Sequence, residues 1–262
     1  MRFAINHISA PKLPLADFFA MCQRLGVHEV EIRNDIPDVM GRMTAADVRA
    51  EAGAQGITIL SINALYPFNL WSGDLPDRAQ RMADYAAEAG VQALVMCPLN
   101  DGNKVPHSAV VQALDAMKPI LKDRGLTGLV EPLGLPISSL RLKAEAIAAI
   151  TEAGDDGTYK LMHDTFHHHL AGEVEFYPRR TGLVHISGVT DPAIDVADML
   201  DAHRVLVDDG DRLRNIAQIK ALLAGGYDGP FSFEPFATEV HDAPDPEAAL
   251  RESMDLIRGA VA

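Results

Sequence analysis

Short apolar runs rich in β-branched residues alternate with longer stretches in which apolar positions recur every three or four residues, from one end of the chain to the other. The runs FAINHI (3–8), HEVEIR (28–33), ITILSINA (57–64), QALVMC (92–97), LTGLVE (126–131), YKLMHD (159–164), GLVHIS (182–187) and PFSFE (230–234) predict strands. Most are apolar on both faces, as expected of parallel strands buried between an inner core and a layer of helices. Between them lie helical patterns with recognisable ends. Leu15, Phe18, Phe19, Cys22 and Leu25 form one stripe, and Gly26 follows where a left-handed residue closes a helix. Thr44 with Asp47 predicts an N-terminal cap for the next helix, and Gly56 its end. Met82, Tyr85, Ala86 and Ala89 precede Gly90, and Val110, Ala113, Leu114, Met117 and Leu121 precede Gly125, with Pro119 expected to kink that helix. Ala146, Ile147 and Ile150 precede Gly154, and Ile216, Ile219 and Leu223 precede Gly225. The last helix is predicted to start with Asp245 as cap and Pro246 at its first position, and to bury Leu250, Met254, Ile257 and Val261.

Alternation of this kind fits either a closed (β/α)8 barrel or an open doubly wound sheet. Eight β–α units with no G-x-G-x-x-G after the first strand favour closure, and 262 residues is the usual size of one such barrel. The whole of 1–262 is therefore expected to form a single α/β domain. The sixth unit is the weakest, because HHHLAGEVEFYPRR between Asp164 and Gly182 leaves room only for a short or irregular helix. The seventh connection, Gly188 to Asp211, is long and rich in aspartate, which marks it as a functional loop.

Composition narrows the class of partner. With 48% hydrophobic and 23% charged residues the chain has the profile of a globular enzyme rather than a disordered one. The net charge of −14 is spread along the chain and opposes binding to phosphate, so nucleic acid and anionic membrane are excluded as expected partners and a small molecule is left. No apolar run approaches the roughly 20 residues of a membrane span, and MRFAINHISAPK lacks the features of a signal peptide, so a cytoplasmic protein is expected. Cys22 and Cys97 are read as small apolar core residues of a reducing compartment.

Four predicted strands end in a residue able to bind a divalent metal: Glu131, Asp164, His185 and Glu234. A parallel barrel brings the C-terminal ends of all its strands to one face, so these residues would share a pocket despite their separation in sequence. A charge among apolar strand residues is costly unless paired or coordinated, and four together point to a metal site. Three carboxylates and one imidazole suit a hard or borderline divalent ion, Mn²⁺, Mg²⁺, Co²⁺ or Zn²⁺. The run H-D-T-F-H-H-H places His167 in the first turn beyond Asp164, near the metal and able to contact substrate or orient a ligand. A local metal site built from His163, His167, His168 and His169 is the competing reading of that run, with His168 and His169 otherwise exposed or packed against a helix. Arg33 and Asn63, ending the second and third strands, are candidates for contact with substrate hydroxyls, Arg33 alternatively for a salt bridge at the barrel mouth. Phe68 and Trp71 could wall the site or pack under a loop.

Several of these segments, VEIR (30–33), INALYPFN (62–69), CPL (97–99), VEPLG (130–134), DTFH (164–167), VHI (184–186) and FSFEPF (231–236), resemble the xylose-isomerase-like TIM barrels of sugar isomerases and epimerases. INALYPFN and DTFHHHLAG narrow the resemblance to the inosose (2-keto-myo-inositol) isomerases of that family. The resemblance implies that Glu131, Asp164, His185 and Glu234 hold one divalent ion and that Glu131 and Glu234 double as an acid–base pair passing a proton through an enediolate. It implies that His167 hydrogen-bonds a substrate oxygen, and it places Arg204 at the site from the long seventh loop. The expected substrate is a neutral keto-polyol, 2-keto-myo-inositol first; a keto-inositol dehydratase and a free-ketose epimerase share the first chemical step. An abasic-site endonuclease shares the barrel and the D-x-x-H element, but it looks to extra histidines on strands three and four, where this chain has Asn63 and Pro98. Many relatives have an acidic residue soon after the strand-seven histidine and a Gly-x-Gly loop later; here Ser187 and Gly188 follow it, and the later stretch is Asp208, Asp209, Gly210 and Asp211. That acidic loop, with no Gly-rich nest or lysine pair, argues against a phosphorylated substrate.

Overall fold

Each predicted run forms a strand, and each strand pairs in parallel with its sequence neighbours until the eighth meets the first. The structure, a computed structural model, describes residues 1–261. The strands are β1 (Phe3–Asn6), β2 (Glu29–Arg33), β3 (Thr58–Leu65), β4 (Ala93–Met96), β5 (Thr127–Val130), β6 (Tyr159–Asp164), β7 (Thr181–Ile186) and β8 (Phe231–Phe233). Helices α1 (Leu15–Arg24), α2 (Ala45–Ala54), α3 (Leu75–Ala89), α4 (His107–Lys122), α5 (Lys143–Glu152), α6 (Thr165–Ala171) and α7 (Asn215–Ala224) follow strands one to seven, and α8 (Thr238–His241) and α9 (Pro246–Val261) follow the last.

Helix ends follow the chemistry read from the chain. Thr44 and Asp47 form a reciprocal capping box, Asp245 accepts from Ala248 N at 2.9 Å, and Gly26, Gly56 and Gly90 take the left-handed conformation beyond their helices. The α4 helix runs through Pro119 to Lys122. Among the described residues no helix is long and apolar enough to cross a membrane.

Two strand boundaries matter for function. Glu131 and Glu234 each lie one residue beyond their strand, yet Glu131 N still bonds Met96 O at 3.1 Å and Glu234 N bonds Ile186 O at 2.9 Å. Pro132 and Pro235 come next and have no N–H to continue the ladder, so the chain leaves the barrel just after each glutamate. The first strand stops sooner than its apolar run, because the Asn6 side chain accepts from Ile8 N at 3.1 Å and turns the chain into a single 3-10 turn.

The expectation of strands apolar on both faces holds for the helix-facing side and for the lower barrel only. Ala4, Leu60, Ala93, Val95, Leu129, Met162 and Leu183 form a separate apolar plug, while Ile5, Val30, Ile32, Ile62, Leu94, Val130, Leu161, Val184 and Phe231 join the helix-facing core. Two residues further along several strands the inward positions become polar: Asn6, Glu131, Asp164 and His185 follow Ala4, Leu129, Met162 and Leu183, and all four are buried. Side chains alternate faces with period two, so one apolar layer below sets the aim of the polar layer above.

Candidate metal centre and substrate pocket

Ligand-type atoms of Glu131, Asp164, His185 and Glu234 lie within 4.8 Å of one another, and all four residues are buried. Among the described residues this is the one such convergence. The His185 Nδ1 atom stands 3.1 Å from Glu234 Oε2, 3.3 Å from Glu131 Oε1 and 3.8 Å from Asp164 Oδ2. Asp164 divides its oxygens between two tasks: Oδ1 accepts from Phe166 N at 2.7 Å and His167 N at 3.2 Å, capping α6, while Oδ2 faces the centre. The cap puts the His167 side chain on the pocket wall one turn away, with its Nδ1 buried and unpartnered.

Around this group the charges are uneven. Glu234 Oε1 accepts from Asn63 Nδ2 at 2.9 Å, Arg33 Nη1 at 3.1 Å and Asn6 Nδ2 at 3.2 Å, and its Oε2 from Arg204 Nη2 at 3.1 Å. Burial alone would raise the Glu234 carboxyl, but His185, Arg204 and Arg33 together hold it well below the usual carboxylate range. Glu131 has fewer donors, the Cys97 thiol at 3.2 Å from Oε2 and His185. Arg204, 1% exposed, also reaches Asp164 Oδ2 at 2.6 Å and Ser187 Oγ at 2.9 Å, and its guanidinium carbon lies over the rings of Phe166 and Phe236 at 5.0 and 4.8 Å from their centroids. Arg33 forms the salt bridge at the barrel mouth, with bonds to Asp35 at 2.8 and 2.7 Å, and also lines the pocket.

A divalent ion suits these residues. The lone pair a neutral His185 presents at Nδ1 faces three carboxylate oxygens, an arrangement repulsive unless a cation or proton lies between them. Burial pushes the His185 imidazolium down, but the charges of Glu234 and Glu31 and the hydrogen bonds it donates to Glu131 and Glu234 reverse this and hold its pKa well above the ordinary 6.5. The metal-free protein therefore keeps a proton on His185 at neutral pH, where it stabilises the fold fully below about pH 6.5 and less as pH rises through the folded value. Metal uptake displaces that proton, so affinity is expected to rise close to tenfold per pH unit, with about one proton released per ion. Calorimetric titration in two buffers of different ionisation heat measures the release; heats independent of buffer would contradict it.

The pocket above the centre has a volume of about 440 Å³ and is lined by Arg33, Asn63, His167, Arg204 and, further out, Tyr66 and Phe236. The structure decides between two pairs of alternatives, for Phe68 with Trp71 and for the histidine run, and departs from expectation at Cys97 and in the acidic run. Phe68 is fully buried and Trp71 packs against the core, so of the two alternatives the packed one holds and neither walls the pocket. Cys97 sits one residue past β4, on the pocket wall rather than in a strand core, and its thiol is pushed up by burial and by Glu131. Asp208, Asp209 and Gly210 line a separate groove against α9, so the acidic run carries no information about the substrate; the seventh loop reaches the pocket through Asp201 and Arg204. The histidine run does not form its own metal site: His163 and His168 turn away to share the Lys143 amine, which burial pulls down to about 8. Sequence reading also passed over Glu31, 0% exposed and bonded to His185 Nε2 at 3.0 Å. Its signal was available in the two-residue spacing E-x-R, which puts Glu31 on the same inward face as Arg33.

Gly134 of VEPLG is needed for a close approach. A Cβ there would lie 1.9 Å from the His167 carbonyl oxygen and 2.9 Å from Ala171 N, where the loop after β5 meets α6. Gly134→Ala is expected to cost about 1–3 kcal/mol by forcing the two backbones apart. Urea unfolding measures this; an unchanged midpoint would count against the close packing of loop and helix.

The sequence profile of the family described as xylose isomerase-like TIM barrel matches residues 19–260. Among solved structures, a xylose isomerase domain-containing protein from Salmonella typhimurium is 36% identical, with 99% of this chain and 97% of that chain covered and a TM-score of 0.92. The IolI protein, solved with a binding zinc atom, is 20% identical over 100% of this chain and 98% of that chain, with a TM-score of 0.87. A D-psicose 3-epimerase from Clostridium cellulolyticum, solved with D-tagatose, is 14% identical over 100% of this chain and 99% of that chain, with a TM-score of 0.75. At such identities these last two are likenesses of fold. No curated protein matches the chain in sequence.

Proposed function

Because the chain belongs to the xylose isomerase-like TIM-barrel family, we propose that it is a metal-dependent isomerase that moves the carbonyl of a neutral keto-polyol to the neighbouring carbon, with 2-keto-myo-inositol as first candidate substrate. The observation that carries this reading is the convergence of two glutamates, one aspartate and one histidine within 4.8 Å at the base of a polar pocket. Moving a carbonyl requires removal of the proton on the adjacent carbon, stabilisation of the enediolate and return of a proton. Glu131 and Glu234 enter from β5 and β8, at different positions around the barrel, and so can address a bound substrate from two directions. Glu131, with fewer donors around its carboxylate, is the better placed to take a proton; Glu234 is held ionised by its two arginines and His185. A divalent ion bound by the four residues supplies Lewis-acid polarisation of the substrate carbonyl. His167 and Asn63 face the pocket and would orient hydroxyls.

A neutral substrate fits the charges. Arg33 and Arg204 are both committed to carboxylates, and Arg78 at the rim is bonded to Tyr66 O, so no guanidinium is free to hold a phosphate. The zinc bound in the IolI structure and the D-tagatose in the epimerase structure support a metal centre and a sugar ketone, respectively.

The test is product identity. Chain loaded with Mn²⁺, Zn²⁺ or Co²⁺ is incubated with 2-keto-myo-inositol and with free ketoses, and products are followed by NMR. Conversion of the inosose to a positional isomer is the expected result. Turnover of free ketoses alone would make the chain an epimerase, loss of water a dehydratase, and no turnover of any keto-polyol would contradict the reading.

A further inference from the structure

We propose that Glu31, which touches neither the pocket nor the ligand oxygens, is a positioning residue that fixes which nitrogen of His185 is offered to the metal. The inference rests on the reading of Glu131, Asp164, His185 and Glu234 as a metal centre. Glu31 is fully buried in the barrel interior, where an unpaired carboxylate would be costly, and besides His185 its three side-chain hydrogen-bond partners are all donors. Ser61 Oγ donates to Oε2 at 2.6 Å, the Ser232 hydroxyl donates to Oε1, and Asn6 Nδ2 reaches Oε1 at 3.5 Å. His185 Nε2 lies 3.0 and 3.1 Å from the two oxygens. These partners come from β1, β3, β7 and β8, so the β2 carboxylate joins five of the eight strands.

The geometry determines a tautomer. With both serine hydroxyls and the Asn6 amide directed at it, Glu31 is an acceptor, and the imidazole nitrogen against it must carry the hydrogen. His185 Nδ1 is then the nitrogen with the available lone pair, and it is the one that faces Glu131, Asp164 and Glu234. A carboxylate hydrogen-bonded behind a metal-binding histidine also makes the imidazole a better donor and holds its ring in place, and loss of such a partner costs about 10–100-fold in metal affinity. Asn6 adds a mechanical link, since its Nδ2 spans Glu31 Oε1 and Glu234 Oε1 at 3.5 and 3.2 Å. Glu31 thus couples the histidine and one glutamate of the centre from below, where no substrate reaches.

Metal affinity of the full chain tests this without reference to turnover. Zn²⁺ binding is measured by competition with a chromophoric chelator for the wild-type chain, Glu31→Gln and Glu31→Ala, alongside visible spectra of the Co²⁺-loaded proteins and thermal melts. Glu31→Ala is expected to bind Zn²⁺ about 10–100-fold more weakly and to shift the Co²⁺ bands. Glu31→Gln keeps an acceptor for Nε2–H but loses the charge, and should fall between the two. If Glu31→Ala does not fold, the near-isosteric Glu31→Gln decides alone, with a loss of several-fold or more expected. Folded variants that bind Zn²⁺ within twofold of wild type, with unchanged Co²⁺ spectra, overturn the inference even if their melting temperatures fall. A wild-type chain that binds no divalent ion removes the centre itself and the inference with it; a wild type that binds one ion beside unaffected variants removes the inference alone.

Discussion

Glu131→Gln is expected to lower turnover of a keto-polyol by about 10²–10⁴-fold while leaving the barrel folded, the usual range for loss of a positioned acid or base. The two sides of the expectation have separate causes. Only Cys97 and His185 bond to the Glu131 carboxylate, and a glutamine amide keeps the side chain's shape and one oxygen for the metal, so stability and metal occupancy at saturating ion should change little. Proton transfer is lost because an amide neither takes nor returns a proton under these conditions. Glu234→Gln should also stop turnover, but at a visible cost in stability. Its Oε1 accepts from Asn6, Arg33 and Asn63 and its Oε2 faces Arg204 and His185, so whichever way the amide is turned its NH₂ meets donors. Steady-state kinetics with metal content measured on the same samples separates the two variants. Substantial activity of Glu131→Gln at full occupancy would remove Glu131 from the proton path.

Arg204→Met should produce the largest loss of stability among pocket residues, about 3–5 kcal/mol, because it leaves Asp164 and Glu234 buried without their shared cation. The guanidinium also lies over the rings of both Phe166 and Phe236, and the Arg204 backbone carbonyl accepts from Phe236 N and Ala237 N, so the seventh loop and the exit of β8 are tied together at this residue. For a domain of this size the loss corresponds to a fall of about 10 °C in melting temperature. A bound divalent ion supplies part of the missing positive charge, so the fall should be greater in the presence of a chelator than with metal. Equal melting temperatures for Arg204→Met and wild type in chelator would show that the buried charges are balanced elsewhere.

Much of this arrangement was legible in the chain, and for identifiable reasons. Period-two and period-3.6 patterns report burial of one face or two, and in a barrel that is enough to order the elements. The four candidate ligands could be picked out because each interrupts an apolar run at its C-terminal end; that Asp164 also caps the next helix is seen only in the structure. Glu31, Ser61 and Ser232 were harder to see: they stand inside their strands, and a buried acid in mid-strand makes sense only once His185 is known to face it. The loops resisted for a different reason. Nothing local to Phe68, Trp71 or Asp208–Asp211 tells which way a connection folds, since that depends on contacts with residues distant in sequence, such as α9 for the acidic run. Arg204 lies in the same loop, and its place came from family resemblance rather than from pattern.

Solvent deuterium exchange tests the central claim most directly. The metal-loaded chain is incubated in D₂O with 2-keto-myo-inositol, and deuterium at the carbon next to the carbonyl is followed by NMR, with chelator-treated protein and the Glu131→Gln, Glu234→Gln double variant as controls. If two glutamates on one metal centre move the proton, the metal-loaded wild type incorporates deuterium and both controls do not. Exchange undiminished in the double variant, or its absence from every keto-polyol offered to fully metal-loaded wild type, would contradict the account.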